Sequence, residues 1–368
     1  MTREPVLIRV DANPQTGYER IARCLILSAA LQRRRRTAYF LSNLEPSSLA
    51  TKIRRQGNEW IATDRLIGDK HDLRQTTQEI RKLKPAAIIV DDASASEDYL
   101  AHLSCLGPML VSLDHTATIR LPSNLIINPL LGPARDSYEF LPGAQLLLGR
   151  RYTLVRPEVR RMRPVRSQEP APLPAINGKP ATGQFRALVA LGEDDPNLRT
   201  LELAKLLLGM PKLGKVDIIV KPFHPDMEKI QALAEANPDR VEIALEPAEI
   251  IARLVRCHFA ITSGSGWSLE LACIGVPQLM ILQSEAHWPT AQRLEEEGCA
   301  TCLGWHENVS ASTIRTSVQN LLGDSLERQS MARCARKLID GRGPDRLVLA
   351  LELMLRGHRA AADLAEAA

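Results

Sequence analysis

Small and hydroxyl-bearing residues form a loop between two apolar segments in the last third of the chain. The stretch begins at Ile261 with Ile-Thr-Ser-Gly-Ser-Gly-Trp-Ser-Leu-Glu-Leu and ends in an apolar run at Leu282. This order predicts a strand, a loop, a helix and a second strand, and the loop consists of Ser263, Gly264, Ser265 and Gly266. Small residues let the backbone approach an anion, and the free N–H groups of the following helix point at it. A plain strand-to-helix turn of a doubly wound sheet has the same pattern, so both interpretations stay open.

A carboxylate and several ring side chains accompany this loop. Glu270 lies one helical turn into the predicted helix, where it can accept both hydroxyls of a ribose. Trp267 and Trp288 flank the loop and can stack on a base or a sugar ring, although packing between helices is the commoner role of such residues. His287 is either a ligand contact or a plain helix-start residue. Together these residues predict a nucleotide-sugar site.

Short apolar runs alternate with amphipathic stretches, which predicts parallel strands joined by helices. In the first half, the predicted strands are Val6–Val10, Ala38–Leu41, Ala87–Val90, Met109–Leu113, Leu125–Ile127 and Leu146–Leu148. The predicted helices between them are Tyr18–Arg34, Ser47–Gln56, Leu73–Leu83 and Ser96–Cys105. In the second half, the predicted strands are Phe185–Leu191, Val216–Val220, Val241–Leu245, Ala260–Thr262, Gln278–Leu282 and Ala300–Leu303. The expected fold class is therefore α/β, with two doubly wound, Rossmann-like parallel sheets facing across a cleft.

A proline-rich stretch divides the two halves. At 368 residues with 45% hydrophobic content, the chain is long enough for two cores. We expect an N-terminal Rossmann-like domain at 1–156 and a linker or insertion at 157–184, where prolines are frequent and apolar periodicity is weak. The nucleotide-sugar-binding domain is expected at 185–345, followed by a C-terminal helix and tail at 346–368.

The charge balance restricts the class of ligand. The chain has 47 basic and 43 acidic residues, a net charge of +4, which suits a small anionic ligand better than a nucleic acid. The run Arg33–Arg36 falls at the end of a predicted helix, where cations complement the helix dipole. Aromatic residues make up 4% of the chain and no basic face is evident, so we expect no nucleic-acid partner.

The seven cysteines are scattered along the chain and fit a reduced compartment. Cys299 and Cys302 have Cys-x-x-Cys spacing but lie in an apolar run, which favours a buried pair over a metal or redox site. We expect neither a metal nor a cofactor. The first residues do not resemble a secretory signal, and no apolar run approaches the ~18 residues of a membrane span. A cytoplasmic protein without a membrane span is expected.

Five segments, in order along the chain, resemble a known family. They are Ile8–Asp11 followed by Gly17 and Arg23; Asp91; Leu148–Glu158; the Ser/Gly loop with Glu270, Gly275 and Pro277; and Ile339–Gly343 with Arg346. These segments are similar to those of the UDP-sugar hydrolases of pseudaminic acid biosynthesis and the related spore-coat polysaccharide proteins. The resemblance implies the GT-B fold that glycosyltransferases share. It also implies cleavage of the anomeric C–O bond of a UDP-linked deoxyamino sugar.

Four positions depart from the pattern of that family. Its Gly-x-Gly-His corresponds to residues 17–20, so the catalytic His is Arg20, which stays protonated and cannot act as a general base. The family's Asp-His-Tyr corresponds to 91–93, where the Tyr hydroxyl is lost. Its Gly-Gly-Ser/Thr-Asp turn is the acidic 192–195, and its Asn-Gln is 286–287. We expect up to three carboxylates of the acidic turn to lie where a phosphate or sugar would otherwise approach.

Three functional interpretations remain. The first is the UDP-sugar hydrolase that the resemblance implies, with Glu19 as the replacement base, Arg20 as an anion clamp and Asp11 as a third catalytic candidate. The second is a GT-B glycosyltransferase that passes a sugar from UDP to a sugar or glycan acceptor, and the third is a non-catalytic nucleotide-sugar-binding protein. In each, the predicted ligand contacts are Gly17, Ser263, Gly264, Ser265, Gly266, Trp267, Glu270 and His287.

Overall fold

The computed structural model describes residues 3–173, 183–192 and 195–367, with side chains as far as residue 358. The chain forms two compact units. Unit 1 contains Met1–Leu154 and Arg342–Ala368, and unit 2 contains Val155–Gly341. The chain therefore leaves unit 1 after Leu154 and returns to it at Arg342, directly before its C-terminal helix.

The strands and helices alternate as the sequence pattern predicts. The strands are β1 (Val6–Arg9), β2 (Ala38–Ser42), β3 (Glu59–Ala62), β4 (Ala87–Val90), β5 (Met109–Leu113), β6 (Leu125–Ile127), β7 (Gln145–Leu147), β8 (Phe185–Val189), β9 (Leu213–Ile219), β10 (Val241–Ala244), β11 (Phe259–Thr262), β12 (Gln278–Leu282) and β13 (Ala300–Trp305). The helices are α1 (Glu19–Arg33), α2 (Leu49–Arg55), α3 (Lys70–Leu83), α4 (Glu97–Ser104), α5 (Pro157–Arg161), α6 (Thr200–Leu208), α7 (Met227–Ala236), α8 (Pro247–Arg256), α9 (Gly266–Ile274), α10 (Trp288–Glu296), α11 (Ala311–Gly323), α12 (Ser325–Leu338) and α13 (Gly343–Ala367).

Each unit contains one parallel sheet. The seven strands of unit 1 have the order β3-β2-β1-β4-β5-β6-β7, and the six strands of unit 2 have the order β10-β9-β8-β11-β12-β13. The strand order reverses direction between β1 and β4 in unit 1, and between β8 and β11 in unit 2. Such a switch point opens a crevice at the carboxyl ends of the strands, which is where ligands bind in open α/β sheets. The two Rossmann-like sheets confirm the predicted fold class.

The core of unit 1 follows from the alternation of side chains along its strands. Val6 and Ile8 of β1 pack on the face that holds α1 and α13, whereas Leu7 packs on the opposite face with residues of α4. The C-terminal helix α13 belongs to this core, since Leu347 and Leu351 are 0% and 2% exposed. Each fully buried leucine contributes about 1.5–3 kcal/mol to the free energy of unfolding. The predicted C-terminal helix is therefore an integral part of unit 1.

The proline-rich stretch is not a linker where the structure describes it. α5 packs in unit 2, and Arg163 donates hydrogen bonds to the carbonyl oxygens of Cys273, Ile339 and Arg336. Arg166 donates to the carbonyl oxygen of Val255 at 2.6 Å. These carbonyls belong to the C-terminal turns of α8, α9 and α12, which cations stabilise. Residues 157–173 of the expected linker or insertion thus form part of unit 2, and residues 174–182 lie outside the described residues.

Strand β3 is the strand that the sequence pattern missed. Its residues Glu-Trp-Ile-Ala lie at the edge of the sheet next to β2, and all four are half-buried or exposed. An edge strand of this kind lacks the apolar run that marks a buried one. Other predicted strands match the observed ones to within a few residues at their ends.

The cysteines and the helices bear on two of the sequence predictions. Cys299 is fully buried and Cys302 half-buried, and both are free thiols. Burial raises the pKa of the Cys299 thiol to about 12, which leaves it inert at neutral pH. Within 3–173, 183–192 and 195–367, no cluster of His, Cys, Asp and Glu has a metal-binding arrangement. No helix in those ranges is both long enough and apolar enough to cross a membrane.

Candidate functional site

The Ser/Gly loop lies at the switch point of unit 2. β11 ends at Thr262, residues 263–265 form the loop, and α9 begins at Gly266. Ser263 is buried, and its Oγ donates a hydrogen bond to the carbonyl oxygen of Leu191, directly after the neighbouring strand β8. The loop is therefore held against the two strands between which the sheet reverses its order.

Glycine is required at position 264 by geometry. Its φ is +82°, a left-handed conformation that side chains disfavour. A Cβ added there would lie 2.8 Å from the carbonyl oxygen of His287. The Gly264 N–H donates to Ser268 Oγ at 3.0 Å, which fixes the turn into α9. The loop is thus closely packed on its inner side.

The start of α9 is open on its outer side. Ser265 is the N-cap residue and is 1% exposed, but its side chain makes no capping hydrogen bond. Ser265 Oγ is buried and has no hydrogen-bond partner among the described residues. A Cβ added to Gly266 would meet no described atom within 4 Å. The first turn reads Gly-Trp-Ser-Leu and holds no acidic side chain, so no carboxylate of that turn complements the partial positive charge of the helix start.

The neighbouring helix α6 begins differently. Asp195 is 3% exposed and accepts hydrogen bonds from the backbone N–H groups of Arg199, at 3.1 Å, and Thr200, at 3.0 Å. His224 Nε2 lies 3.3 Å from the same carboxylate. Burial would raise the pKa of Asp195, but the hydrogen bonds from His224 and the helix start outweigh it and hold that pKa below its ordinary value. The carboxylate therefore serves its own helix, which corrects the expectation for this residue. Glu193 and Asp194 lie outside the described residues.

Glu270 has a partner that the sequence did not reveal. It is 3% exposed, and both carboxylate oxygens accept hydrogen bonds from Arg156, with Nε at 2.8 and 2.9 Å. The Arg156 backbone N–H and Nη2 bind the same carboxylate. The expected contact of Glu270 with a ribose does not fit this arrangement, because Arg156 occupies both oxygens. Glu270 instead fastens the start of unit 2 to α9.

Trp267 is covered rather than open. It is 3% exposed, and the guanidinium carbon of Arg156 lies 4.0 Å from its ring centroid. This cation–π contact occupies the ring face, so stacking on a base does not fit this arrangement. Trp267 therefore helps to orient Arg156 beside the open helix start.

His287 and Trp288 connect the loop to the next strands. His287 is 6% exposed and its carbonyl oxygen lies against Gly264. Trp288 is 43% exposed and stacks on Trp305, with ring centroids 6.4 Å apart and an interplanar angle of 23°. The exposed Trp288 thus directly follows His287, the residue that contacts the loop.

The switch point of unit 1 contains the expected catalytic residues. Gly17 has φ +75° and its N–H donates to the carbonyl oxygen of Asn13 at 2.9 Å. Glu19 is half-buried and begins α1. Arg20 Nη1 donates to Asp92 Oδ2 at 2.9 Å, directly after β4, and Arg23 forms a two-pronged pair with Asp91. Arg20 is therefore neutralised within unit 1.

Asp11 is a structural residue in this arrangement. It is 0% exposed and its carboxylate binds the guanidinium of Arg9. The backbone N–H groups of Asn43, at 2.8 Å, and Ile67, at 3.2 Å, donate to the same carboxylate. A carboxylate that is fully buried and fully bonded holds loops together and has no room for a substrate, so we do not retain Asp11 as a catalytic candidate.

The sequence predictions missed Arg156 and His224 as partners of site residues. Arg156 lies in one of the five segments of the resemblance, but its pairing with Glu270 joins residues 114 positions apart. His224 contacts Asp195 from the turn after β9. No local pattern marks a pair that only the fold brings together.

Comparison with known proteins supports the fold. No protein-family model matches the chain. Over 167 residues, or 45% of the chain, it is 25% identical to 49% of the spore coat polysaccharide biosynthesis protein SpsG of Bacillus subtilis. Over 287 residues, or 76% of the chain, it is 18% identical to 56% of the uncharacterized protein MJ1062 of Methanocaldococcus jannaschii. The chain thus spans about half the length of the curated relatives that it matches.

Solved glycosyltransferases share the fold of the whole chain. Spinosyn rhamnosyltransferase SpnG, in complex with thymidine diphosphate, has a TM-score of 0.62 and 18% identity, covering 95% of this chain and 100% of that one. The calicheamicin glycosyltransferase CalG4 has a TM-score of 0.60 and 15% identity, covering 96% and 98%. MurG of Acinetobacter baumannii has a TM-score of 0.60 and 13% identity, covering 95% and 99%. These likenesses show a GT-B fold.

Proposed function

We propose that this protein is a GT-B glycosyltransferase of polysaccharide biosynthesis that takes its sugar from a nucleoside diphosphate. One observation carries the proposal: the start of α9, at the switch point of unit 2, has no acidic side chain in its first turn. Ser265 Oγ has no hydrogen-bond partner among the described residues, and the space beyond Gly266 is open. A diphosphate supplies the negative charge that this helix start lacks.

The chemistry of sugar transfer uses such a site directly. When the anomeric C–O bond breaks, negative charge develops on the diphosphate that leaves. The N–H groups at the start of α9 and the hydroxyl of Ser265 can donate hydrogen bonds to that charge, and they are oriented before the reaction begins. Ser263 and Gly264 shape the loop, while Glu270 acts through Arg156 and Trp267 to hold the helix start in position.

The names of the similar proteins favour transfer to a sugar acceptor over hydrolysis. Either reaction needs a base, for water or for the acceptor hydroxyl, and Arg20 cannot be that base because its guanidinium stays protonated. Arg20 also donates a hydrogen bond to Asp92 at 2.9 Å, so its charge is already paired within unit 1. The name of SpsG places that protein in polysaccharide biosynthesis, and the names of SpnG and CalG4 describe glycosyltransferases. Glu19 stays a candidate base for the acceptor hydroxyl.

Donor turnover distinguishes the two reactions. The protein is incubated with UDP-N-acetylglucosamine or TDP-glucose and no acceptor, and the free nucleotide is quantified by chromatography. Calorimetric titration with UDP and TDP is run in parallel. We expect micromolar binding of a nucleoside diphosphate and an intact donor. Rapid nucleotide release into buffer would favour the hydrolase, and the absence of any binding would contradict both enzymes.

A further inference from the structure

Trp288 and Trp305 form an exposed aromatic surface in unit 2, which we call the tryptophan platform. Trp288 begins α10 and Trp305 ends β13. Their rings stack with centroids 6.4 Å apart, so Trp305 supports one side of the Trp288 indole. Trp288 remains 43% exposed. The Trp288 indole therefore presents an apolar surface to solvent while Trp305 stacks against it.

This exposure is unusual for the residue type. Tryptophan is highly buried on average, and leaving it exposed forfeits a large hydrophobic contribution. Among the described residues, Trp288 is the one exposed aromatic side chain, since the other exposed large hydrophobics are Val165, Leu198, Leu326, Leu349 and Leu353. An aromatic ring that is held by a second ring and left open has the properties of a binding surface.

The platform lies on the same edge of the sheet as the open helix start. Trp288 directly follows His287, whose carbonyl oxygen packs against Gly264. Trp305 pairs in register with Leu282 at the carboxyl end of β12. β13 is two strands from β11, a separation of about 10 Å at ordinary strand spacing. A sugar attached to a diphosphate at α9 can span that separation.

We propose that the exposed side of Trp288 stacks on the sugar ring of the nucleotide sugar, an assignment that rests on the proposed function. A pyranose has an apolar C–H face and a rim of hydroxyls. Gln292, four residues after Trp288, is exposed and lies on the same side of α10, and Glu285 in the turn before the helix is also exposed, so an amide and a carboxylate flank Trp288 in the chain. These groups match hydroxyls, whereas the flat indole matches the C–H face.

Paired titrations test the assignment. Wild-type protein, Trp288→Ala, Trp288→Phe and the distant control Leu326→Ala are titrated with UDP, UDP-glucose, UDP-galactose and UDP-N-acetylglucosamine. For the UDP-sugar that the wild type binds most tightly, Trp288→Ala should weaken binding about three- to tenfold while the Kd of UDP itself stays within about twofold. Trp288→Phe should restore most of the loss. Leu326→Ala should change neither affinity.

Three results would overturn the platform while leaving the proposed function intact. Equal weakening of UDP and the UDP-sugar would assign Trp288 to the base. No change in either affinity, or a loss of self-association of Trp288→Ala in sedimentation, would remove Trp288 from the ligand site.

Saturation-transfer NMR with the methyl glycosides of the same sugars separates the platform from the nucleotide site. Signals that persist in Gly266→Asp and vanish in Trp288→Ala support the platform even if the wild type binds no nucleotide, in which case the proposed function fails alone. If the wild type gives neither nucleotide binding nor glycoside signals, both proposals fail.

Discussion

The switch points of the two units have the same topology but differ in their charged side chains. In unit 1, the cations beside the switch point are matched by carboxylates of the same unit: Arg20 by Asp92 and Arg23 by Asp91. The first turn of α1 also contains its own carboxylate, Glu19. In unit 2, the first turn of α9 contains no acidic side chain. A carboxylate in its own first turn therefore complements the dipole of α1, whereas the first turn of α9 supplies none.

The same contrast holds inside unit 2. Asp195 caps the start of α6 with two backbone hydrogen bonds, on the β8 side of the switch point. Ser265 begins α9, on the β11 side, without any side-chain capping bond. Sheet topology alone therefore does not identify a ligand site. The informative feature is a helix start with no acidic side chain in its first turn and with an N-cap hydroxyl that has no partner among the described residues.

Gly266→Asp should have the largest effect, because it gives α9 a carboxylate in its first turn, as α1 has in Glu19. Like charges at ~4 Å repel by several kcal/mol in a partly buried site, so UDP binding should weaken by more than about a hundredfold. The thermal midpoint should hold or rise, because an aspartate in the first turn stabilises a helix. Gly266→Asn is the matched control and should bind UDP at least about tenfold better than the aspartate. Equal affinities of the two variants for UDP in calorimetry would show that the phosphates do not bind at the start of α9.

Glu270→Ala should cause the largest loss of stability. It leaves Arg156 without its carboxylate in a largely buried position, which should lower the free energy of unfolding by about 3 kcal/mol. Urea denaturation measures the loss, and the double variant Arg156→Leu/Glu270→Leu should recover part of it. Unchanged stability with complete loss of UDP binding would instead place Glu270 on the nucleotide.

Two adjacent glycines give a matched test of the loop. Gly264→Ala forces a side chain into a left-handed backbone and against the His287 carbonyl, and should cost about 2 kcal/mol. Gly266→Ala enters open space at the start of a helix and should be neutral or stabilising. Chemical denaturation of both variants measures the difference. Similar midpoints would show that the loop is less closely packed than the structure indicates.

Asp195→Asn tests the filled helix start through pH. The pKa of Asp195 is lowered in the folded protein, so its contribution to stability is fully present above its ordinary value of about 3.8 and is lost as pH falls through the folded pKa. Asparagine tolerates the positive φ of 38°, removes the charge and keeps one of the two acceptor oxygens. At pH 7 the variant should be less stable by about 1–2 kcal/mol. The gap to the wild type should shrink below pH ~3.8, and a gap independent of pH would contradict the assignment.

Arg20→Gln should have the smallest effect. Asp92 keeps hydrogen bonds from the Ser94 N–H at 2.8 Å and hydroxyl at 2.6 Å, so the loss of stability should stay below about 1 kcal/mol. The Kd of UDP should change by no more than about twofold, because Asp92 already neutralises this cation. Calorimetry and thermal unfolding of the variant check both values. A large loss of affinity would mean that Arg20 binds the nucleotide, as the sequence suggested.

The sequence predicted the buried parts of this fold and missed the pairings across it. Strands such as β4 and β5 are continuous apolar runs and were predicted to the residue, whereas β3 is half-exposed and was not. The Ser/Gly loop could be located because its residues are adjacent in the chain. The roles assigned to Glu270 and Asp195 could not, since their partners Arg156 and His224 are brought to them only by folding.

The amide signals of glycine test the central claim most directly. The protein is labelled with ¹⁵N-glycine, Gly266 is identified by the loss of its signal in Gly266→Ala, and UDP is titrated. The account predicts that the Gly264 and Gly266 signals shift in a saturable way while the Gly17 signal of unit 1 stays in place. Saturable shifts at Gly17, with Gly264 and Gly266 unmoved, would show that the diphosphate binds the switch point of unit 1 and would contradict the account.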